Sequence, residues 1–215
     1  MYQPPHFRED DLAVQHALIK AHPLGLLVTF GSAGLEANPI PFVLDAGASA
    51  LGTLKAHLSR ANPQWRNFDP AQEALVVFQG PATYITPSWY AAKREHGKVV
   101  PTWNYAIVQA RGRLTIRDDP DWLRQQIAAM TETQEAPRPE PWNVSDAPAP
   151  FVAAQLKGIV GIEIEITRVE GKWKVSQNRP EADRLGVAAG LRLSQDDASH
   201  RMADLVDARG ALPRE

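Results

Sequence analysis

Apolar residues recur in two different rhythms near the start of the chain, and the change of rhythm marks the first element boundary. Over residues 9–22, Leu12, His16 and Ile19, with Ala13, Ala17 and Leu18 beside them, fall at helical spacing. The pattern predicts an amphipathic helix that Pro23 ends. Residues 24–30 are then almost continuously apolar and close on Gly31-Ser32-Ala33-Gly34, as a buried strand followed by a turn would. A second strand is expected over 38–44. Its Pro39 and Pro41 cannot donate to a ladder, which argues for an edge position or a bulge. Asp45-Ala46-Gly47-Ala48 turns the chain into a third strand over about 50–57.

Asn62-Pro63 reads as a helix start, with Asn as cap and Pro in the first turn, and the short helix it opens carries Trp65 and Phe68. A fourth strand is expected over 74–79 and a long fifth over 103–117. Asp118-Asp119-Pro120-Asp121 caps a helix over 122–133. Residues 134–150 hold many of the prolines and predict a loop with a second short helix after it. Segments 158–169 and 172–176 predict a hairpin across Glu170-Gly171. Within it Glu163 and Glu165 alternate with Ile162, Ile164 and Ile166, so one face is solvated and one buried. From 180 to 215 the chain reads as helical in pieces, fraying into polar residues. Six or seven strands without regular intervening helices imply a mainly β fold, an antiparallel barrel with flanking helices, and argue against a doubly wound sheet. No internal repeat or low-complexity tract interrupts it.

Composition narrows the chemistry. The 215 residues are 44% hydrophobic, enough for a core, and contain no cysteine. Disulfides, thiolate metal sites, iron–sulfur clusters and cysteine nucleophiles are thereby excluded. The formal charge of -2 gives no support for direct DNA binding, which draws its affinity from basic excess. The opening Met1-Tyr2-Gln3-Pro4-Pro5 lacks a basic, then apolar, leader, and no apolar run reaches membrane-span length. A cytoplasmic protein with no membrane partner is the expectation.

No P-loop, GxGxxG after a strand, HExxH or GxSxG is present, and the six histidines are scattered without metal-ligand spacing. Paired carboxylates such as Asp196-Asp197 lie at element ends, where solvated caps are the plain reading. Three segments remain. The first is the turn from His57 through Ser59 and Arg60 to Asn62, where a strand end meets a helix start. An imidazole, a hydroxyl, a guanidinium and free backbone N–H groups suit a phosphate monoester, and equally an ordinary capped turn. The second is Thr102-Trp103-Asn104-Tyr105. Alternation puts Trp103 and Tyr105 on one face and Thr102 and Asn104 on the other; the amide and hydroxyl suit a heterocycle edge, or simply point to solvent behind core aromatics. The third is the polar run from Lys172 to Pro180, with Gln177, Asn178 and Arg179, either a loop leaving a barrel or a contribution to a ligand on a neighbouring subunit. An aromatic block, Phe78-Gln79-Gly80-Pro81 through Trp89-Tyr90, reads as a ligand wall or a core corner.

Taken in order, Pro23-Leu24-Gly25, residues 52–65, 78–81 through Trp89-Tyr90, 100–105 and 172–186 resemble the PaiB family of flavin-mononucleotide-binding proteins, usually described as negative transcriptional regulators. The resemblance runs to about Leu191. It departs at Ala82 and Gln109, where many relatives carry His. It implies a split β-barrel like that of pyridoxamine-phosphate oxidases over 1–191, a polar tail over 192–215, FMN as cofactor and a homodimer. By position, His57, Ser59, Arg60 and Asn62 would hold the flavin phosphate. Thr102, Asn104 and Tyr105 would lie along the isoalloxazine, with Gln177 and Arg179 reaching in from the partner chain.

Three functions are consistent with that resemblance: a flavin-loaded regulator, a flavin-dependent oxidoreductase acting on a small molecule, and a split-barrel protein holding haem or sequestering a cofactor. No DNA-reading helix is evident. No catalytic residue is assigned, with His96 and Tyr84 the only loose acid–base candidates; flavin carries its own redox chemistry.

Overall fold

Two strands at opposite ends of one hydrogen-bonded order are separated in the chain by a single residue, Phe42. The computed structural model of the protein describes residues 1–210, so 211–215 of the expected tail lie outside the described residues. Its elements run β1 (Arg8–Glu9), α1 (Leu12–Ala21), β2 (Leu24–Gly31), β3 (Gly34–Pro41), β4 (Val43–Asp45), β5 (Thr53–Ser59), α2 (Gln64–Asn67), β6 (Ala74–Ile85), α3 (Ala92–Glu95), β7 (Thr102–Arg117), α4 (Pro120–Glu135), α5 (Ala149–Leu156), β8 (Ile159–Lys174), α6 (Glu181–Arg192) and α7 (Asp197–Gly210). The eight strands form one sheet in the order β3-β2-β6-β7-β8-β5-β4, with β1 added to β8. Two compact units divide the chain: a larger one of residues 12–78 and 109–169, and a smaller one of residues 1–11, 79–108 and from Glu170 on.

The larger unit explains the role of Phe42. β3 and β4 end the strand order, so a one-residue link between them requires the sheet to curl round into a barrel. The seam carries Pro39 and Pro41, which have no N–H to give, and the Phe42 N–H goes instead to the Pro23 carbonyl at 2.8 Å. The expected strand over 38–44 is therefore two strands. Inside the barrel Leu27, Leu54, Val76, Phe78, Ile162 and Ile164 are fully buried, and Phe42 meets Phe78 edge to face at 5.8 Å. Each such side chain contributes about 1.5–3 kcal/mol by leaving water. Asp119 caps α4 by accepting from the Trp122 N–H at 2.8 Å, as the sequence implies.

In the smaller unit the sequence reading needs correction. Glu170-Gly171 is no turn: β8 runs straight through it, because β1 pairs there (Arg8 with Lys172, Glu9 with Gly171). Gly171 does not adopt the positive φ that a tight hairpin would use. The same pairing removes Glu9 from the expected first helix, which begins at Leu12. Beyond residue 192 the chain does not simply fray. α7 buries Met202, Ala203 and Val206 completely, and α6 sets Gly186 and Gly190 against Trp89.

Candidate functional site

β5 alternates cleanly. Leu54, Ala56 and Leu58 point into the barrel, leaving Lys55, His57 and Ser59 on the outer face, which α4 covers in part. Beyond Ser59 the turn satisfies itself: the Ser59 Oγ accepts from the Ala61 N–H at 3.3 Å and the Asn62 Oδ1 from the Gln64 N–H at 3.0 Å. The helix that follows, α2, is a single turn, so its dipole adds little to the site. His57 Nδ1 donates to the Gln126 Oε1 of α4 at 2.7 Å. Arg60 is heavily engaged. Its Nε donates to the Lys157 carbonyl at 3.0 Å, Nη1 to Asp118 at 3.0 Å, and Nη2 to both Asp118 and the Ile159 carbonyl. Four of the five N–H groups of a guanidinium are thus taken, which leaves one, on Nη1. Gln64, which the sequence did not single out, anchors the turn: buried, it donates to Leu27 O and Thr29 Oγ1 and accepts from Asn38.

The smaller unit holds the second group. At the start of β7 the alternation is as expected, but the faces are the reverse of the plain reading. Trp103 is exposed and meets Tyr84 edge to face, whereas Asn104 is 1% exposed, in line with buried Ala106 and Val108. Its Nδ2 donates to the Ser176 Oγ at 2.9 Å; its Oδ1 has no partner among the described residues. Ser176 is held at φ 67°, a left-handed conformation unusual for a residue with a side chain. The start of β7 also meets cations that the sequence reading left out of the site. Lys174 donates to Thr102 Oγ1 and to the Trp103 carbonyl, and Lys172 lies 5.4 Å from the Tyr105 ring centre. Burial pushes the Lys174 ammonium pKa down, and Lys172 and Arg179 add to the effect. The signal for both lysines was present in Lys172-Trp173-Lys174, whose period of two places them on one strand face.

Arg179 lies 4.6 Å from the centre of the buried Tyr90 ring. Gln177 turns inward on its own loop, accepting from the Val175 N–H and donating to the Trp173 carbonyl, so it shapes the turn that presents Ser176. The structure therefore gathers Thr102, Asn104 and Tyr105 with Lys172, Lys174 and Ser176 in one unit, and His57, Ser59, Arg60 and Asn62 on one turn of the other. Among the described residues no cluster could hold a metal ion, and no helix is long and apolar enough to cross a membrane.

Asn104 Oδ1, a buried acceptor without a donor among the described residues, fits the imide edge of a flavin, which offers an N–H between two carbonyls. Residues 1–168 match the family model described as "Putative FMN-binding domain". The chain is 31% identical to the protease synthase and sporulation protein PAI 2 of Bacillus subtilis, over 96% of this chain and 97% of that one. It is 36% identical to an uncharacterized protein of Emericella nidulans, over 99% and 98%. Among solved structures, the FAD and heme binding protein of Mycobacterium smegmatis superposes with a TM-score of 0.54 at 15% identity, covering 77% of this chain and 71% of that one. At that identity the likeness is one of fold, the antiparallel split barrel.

Proposed function

The chain belongs to the PaiB family of FMN-binding proteins, and from that premise we propose that it works as an FMN-loaded homodimer whose flavin occupancy regulates gene expression. The observation that carries the flavin reading into the site is Asn104, a buried amide with an unanswered acceptor on the strand assigned to the isoalloxazine. Bound flavin supplies the redox chemistry; the protein supplies its binding and electrostatics. Thr102, Asn104 and Tyr105 line the ring, and Lys172 and Lys174 bring positive charge to its polar edge, where reduced flavin accumulates negative charge. His57, Ser59 and Asn62 take the phosphate, with the charge and remaining N–H of Arg60. Gln177 and Arg179 complete the site from the partner chain.

A sheet face supports the dimer. On one side of the β2–β3 ribbon Leu24, Leu26, Phe30 and Leu35 are all exposed, the last by 74%. Such an apolar patch is unusual on a monomer and suits a second copy. With a net charge of -2, regulation through a partner is favoured over direct DNA reading.

Titration of the flavin-free protein with FMN, followed by flavin fluorescence, is expected to saturate at micromolar ligand; absence of binding there sinks the reading. Arg60→Ala is expected to weaken FMN more than riboflavin, and equal loss for both removes Arg60 from the phosphate site. A mobility-shift assay over a salt series, beside a nicotinamide-dependent flavin reduction assay, separates a regulator from an oxidoreductase.

A further inference from the structure

Gln64 is a polar side chain in a barrel that otherwise buries mostly apolar ones. It opens the single turn of α2, is 1% exposed, and reaches the paired strands β2 and β3. Its Nε2 lies 3.2 Å from the Leu27 carbonyl, 3.1 Å from Thr29 Oγ1 and 3.3 Å from the Glu36 carbonyl. Its Oε1 accepts from Asn38 Nδ2 at 2.9 Å. These four residues are two opposed pairs of the ribbon, Leu27 with Asn38 and Thr29 with Glu36. The two carbonyls identify the NH2 end of the amide, because an amide oxygen placed there would face acceptors with nothing to donate. The side chain is thus fixed in place and direction, with both of its polar atoms satisfied.

The other end of α2 is held as firmly. The Asp69 N–H donates to the Phe30 carbonyl at 2.8 Å, and a Cβ on Gly31 would stand 1.6 Å from the Asn67 carbonyl oxygen. The ribbon therefore seats α2, and α2 seats the end of the His57–Asn62 turn. The Gln64 N–H donates to Asn62 Oδ1 at 3.0 Å, and the Asn62 N–H to the Ser59 carbonyl at 2.9 Å. With Oδ1 committed, the Nδ2 end, which carries two N–H groups, is the end left to donate. A leucine could fill the volume of Gln64, but it would leave the polar groups around it unanswered and the turn without its seat.

We propose that Gln64 is a positioning residue for phosphate recognition. Without touching the ligand, it seats the turn so that Asn62 meets the FMN phosphate with Nδ2 and not with Oδ1. The proposal rests on the reading that this turn takes the phosphate. An amide oxygen turned toward a phosphate repels it, whereas an N–H makes a charge-assisted bond. The seat therefore sets the preference for FMN over riboflavin and leaves ring binding alone. Such support is what holds a binding side chain in its productive geometry.

FMN and riboflavin are titrated by fluorescence into the flavin-free protein and its variants, and the ratio of the two dissociation constants is the readout. Gln64→Met keeps the volume and removes the hydrogen bonds. It is expected to lower the preference for FMN about tenfold, as for one hydrogen bond to a charged group, with riboflavin affinity kept. Asn38→Ala removes only the donor to Oε1; it is expected to act in the same direction by a smaller factor, and serves if Gln64→Met does not fold. Asn62→Asp keeps the acceptor for the Gln64 N–H and loses the Nδ2 donor. Adding Gln64→Met to it is expected to change the ratio little further, as for two residues acting through one contact. Val206→Ala, fully buried in α7, destabilises the protein elsewhere and is expected to keep the ratio. An unchanged ratio in both Gln64→Met and Asn38→Ala would overturn the proposal and leave the phosphate site standing. So would an equal fall of the ratio in Val206→Ala. A parent that binds FMN no better than riboflavin would overturn the phosphate reading, and this proposal with it.

Discussion

Arg60 closes its guanidinium on the Asp118 carboxylate, Nη1 to Oδ2 at 3.0 Å and Nη2 to Oδ1, tying the end of β5 to the loop that starts α4. Two carbonyls near the start of β8 complete the clamp. The Arg60 guanidinium holds the Asp118 carboxyl below the usual carboxylate range. A lowered folded-state pKa means stability present above the unfolded value, near ~3.9, and lost as pH falls through the folded one. The pair is a third to a half exposed, so solvent screening keeps its contribution small. The thermal midpoint of Asp118→Asn is therefore expected to lie slightly below the parent at neutral pH, and to meet it in strong acid. A gap that persists in strong acid would show that the ion pair is not its source.

Asn104 separates ring binding from phosphate binding. Asn104→Ala removes an amide that anchors Ser176 and supplies the free acceptor. Loss of one buried hydrogen bond, about 1–3 kcal/mol, predicts roughly 5- to 150-fold weaker flavin. Because the contact is to the ring, FMN and riboflavin should lose affinity alike, in contrast to Arg60→Ala. Fluorescence titration of both ligands against both variants reads the difference.

Gly186 and Gly190 are where α6 receives the Pro87–Trp89 turn. A Cβ on Gly186 would meet the Trp89 carbonyl at 2.0 Å, which no rotamer change relieves; one on Gly190 would meet the indole at 2.4 Å. Overpacking costs about 1–3 kcal/mol. Gly186→Ala is expected to lower urea stability at least that far, and Gly190→Ala less, since a side chain can yield where backbone cannot. Chemical unfolding of the two variants side by side tests the order.

Gly161→Ala strikes α4 from below. Its Cβ would lie 2.7 Å from the Arg117 carbonyl as well as against Trp122. The variant is expected to be destabilised by about 1–3 kcal/mol and to shift Trp122 fluorescence, with calorimetry giving the first and difference spectra against Gly161→Ala/Trp122→Phe the second.

Much of the fold follows from local pattern. Ile162, Ile164 and Ile166 face inward by alternation alone, Asp119-Pro120 starts a helix wherever it stands, and Pro39 and Pro41 confine β3 to an edge. The residues of the candidate site could be named for the same reason: strand ends and turns rich in amides and hydroxyls are visible without coordinates.

What each of those residues does was decided by partners distant in the chain. Glu170-Gly171 has the composition of a turn, but β1 arrives from 162 residues away and keeps it straight, because a paired ladder outweighs a weak local preference. Asn104 reads as solvent-facing beside two aromatics, yet the sheet turns it inward to Ser176, 72 residues on. Arg60 reads as a free guanidinium, yet Asp118 takes most of it, and His57 is joined to Gln126, 69 residues away. Periodicity and turn chemistry act between near neighbours and so are written in the sequence. Which buried polar group meets which partner depends on how distant strands and helices come together, and only the tertiary structure decides that.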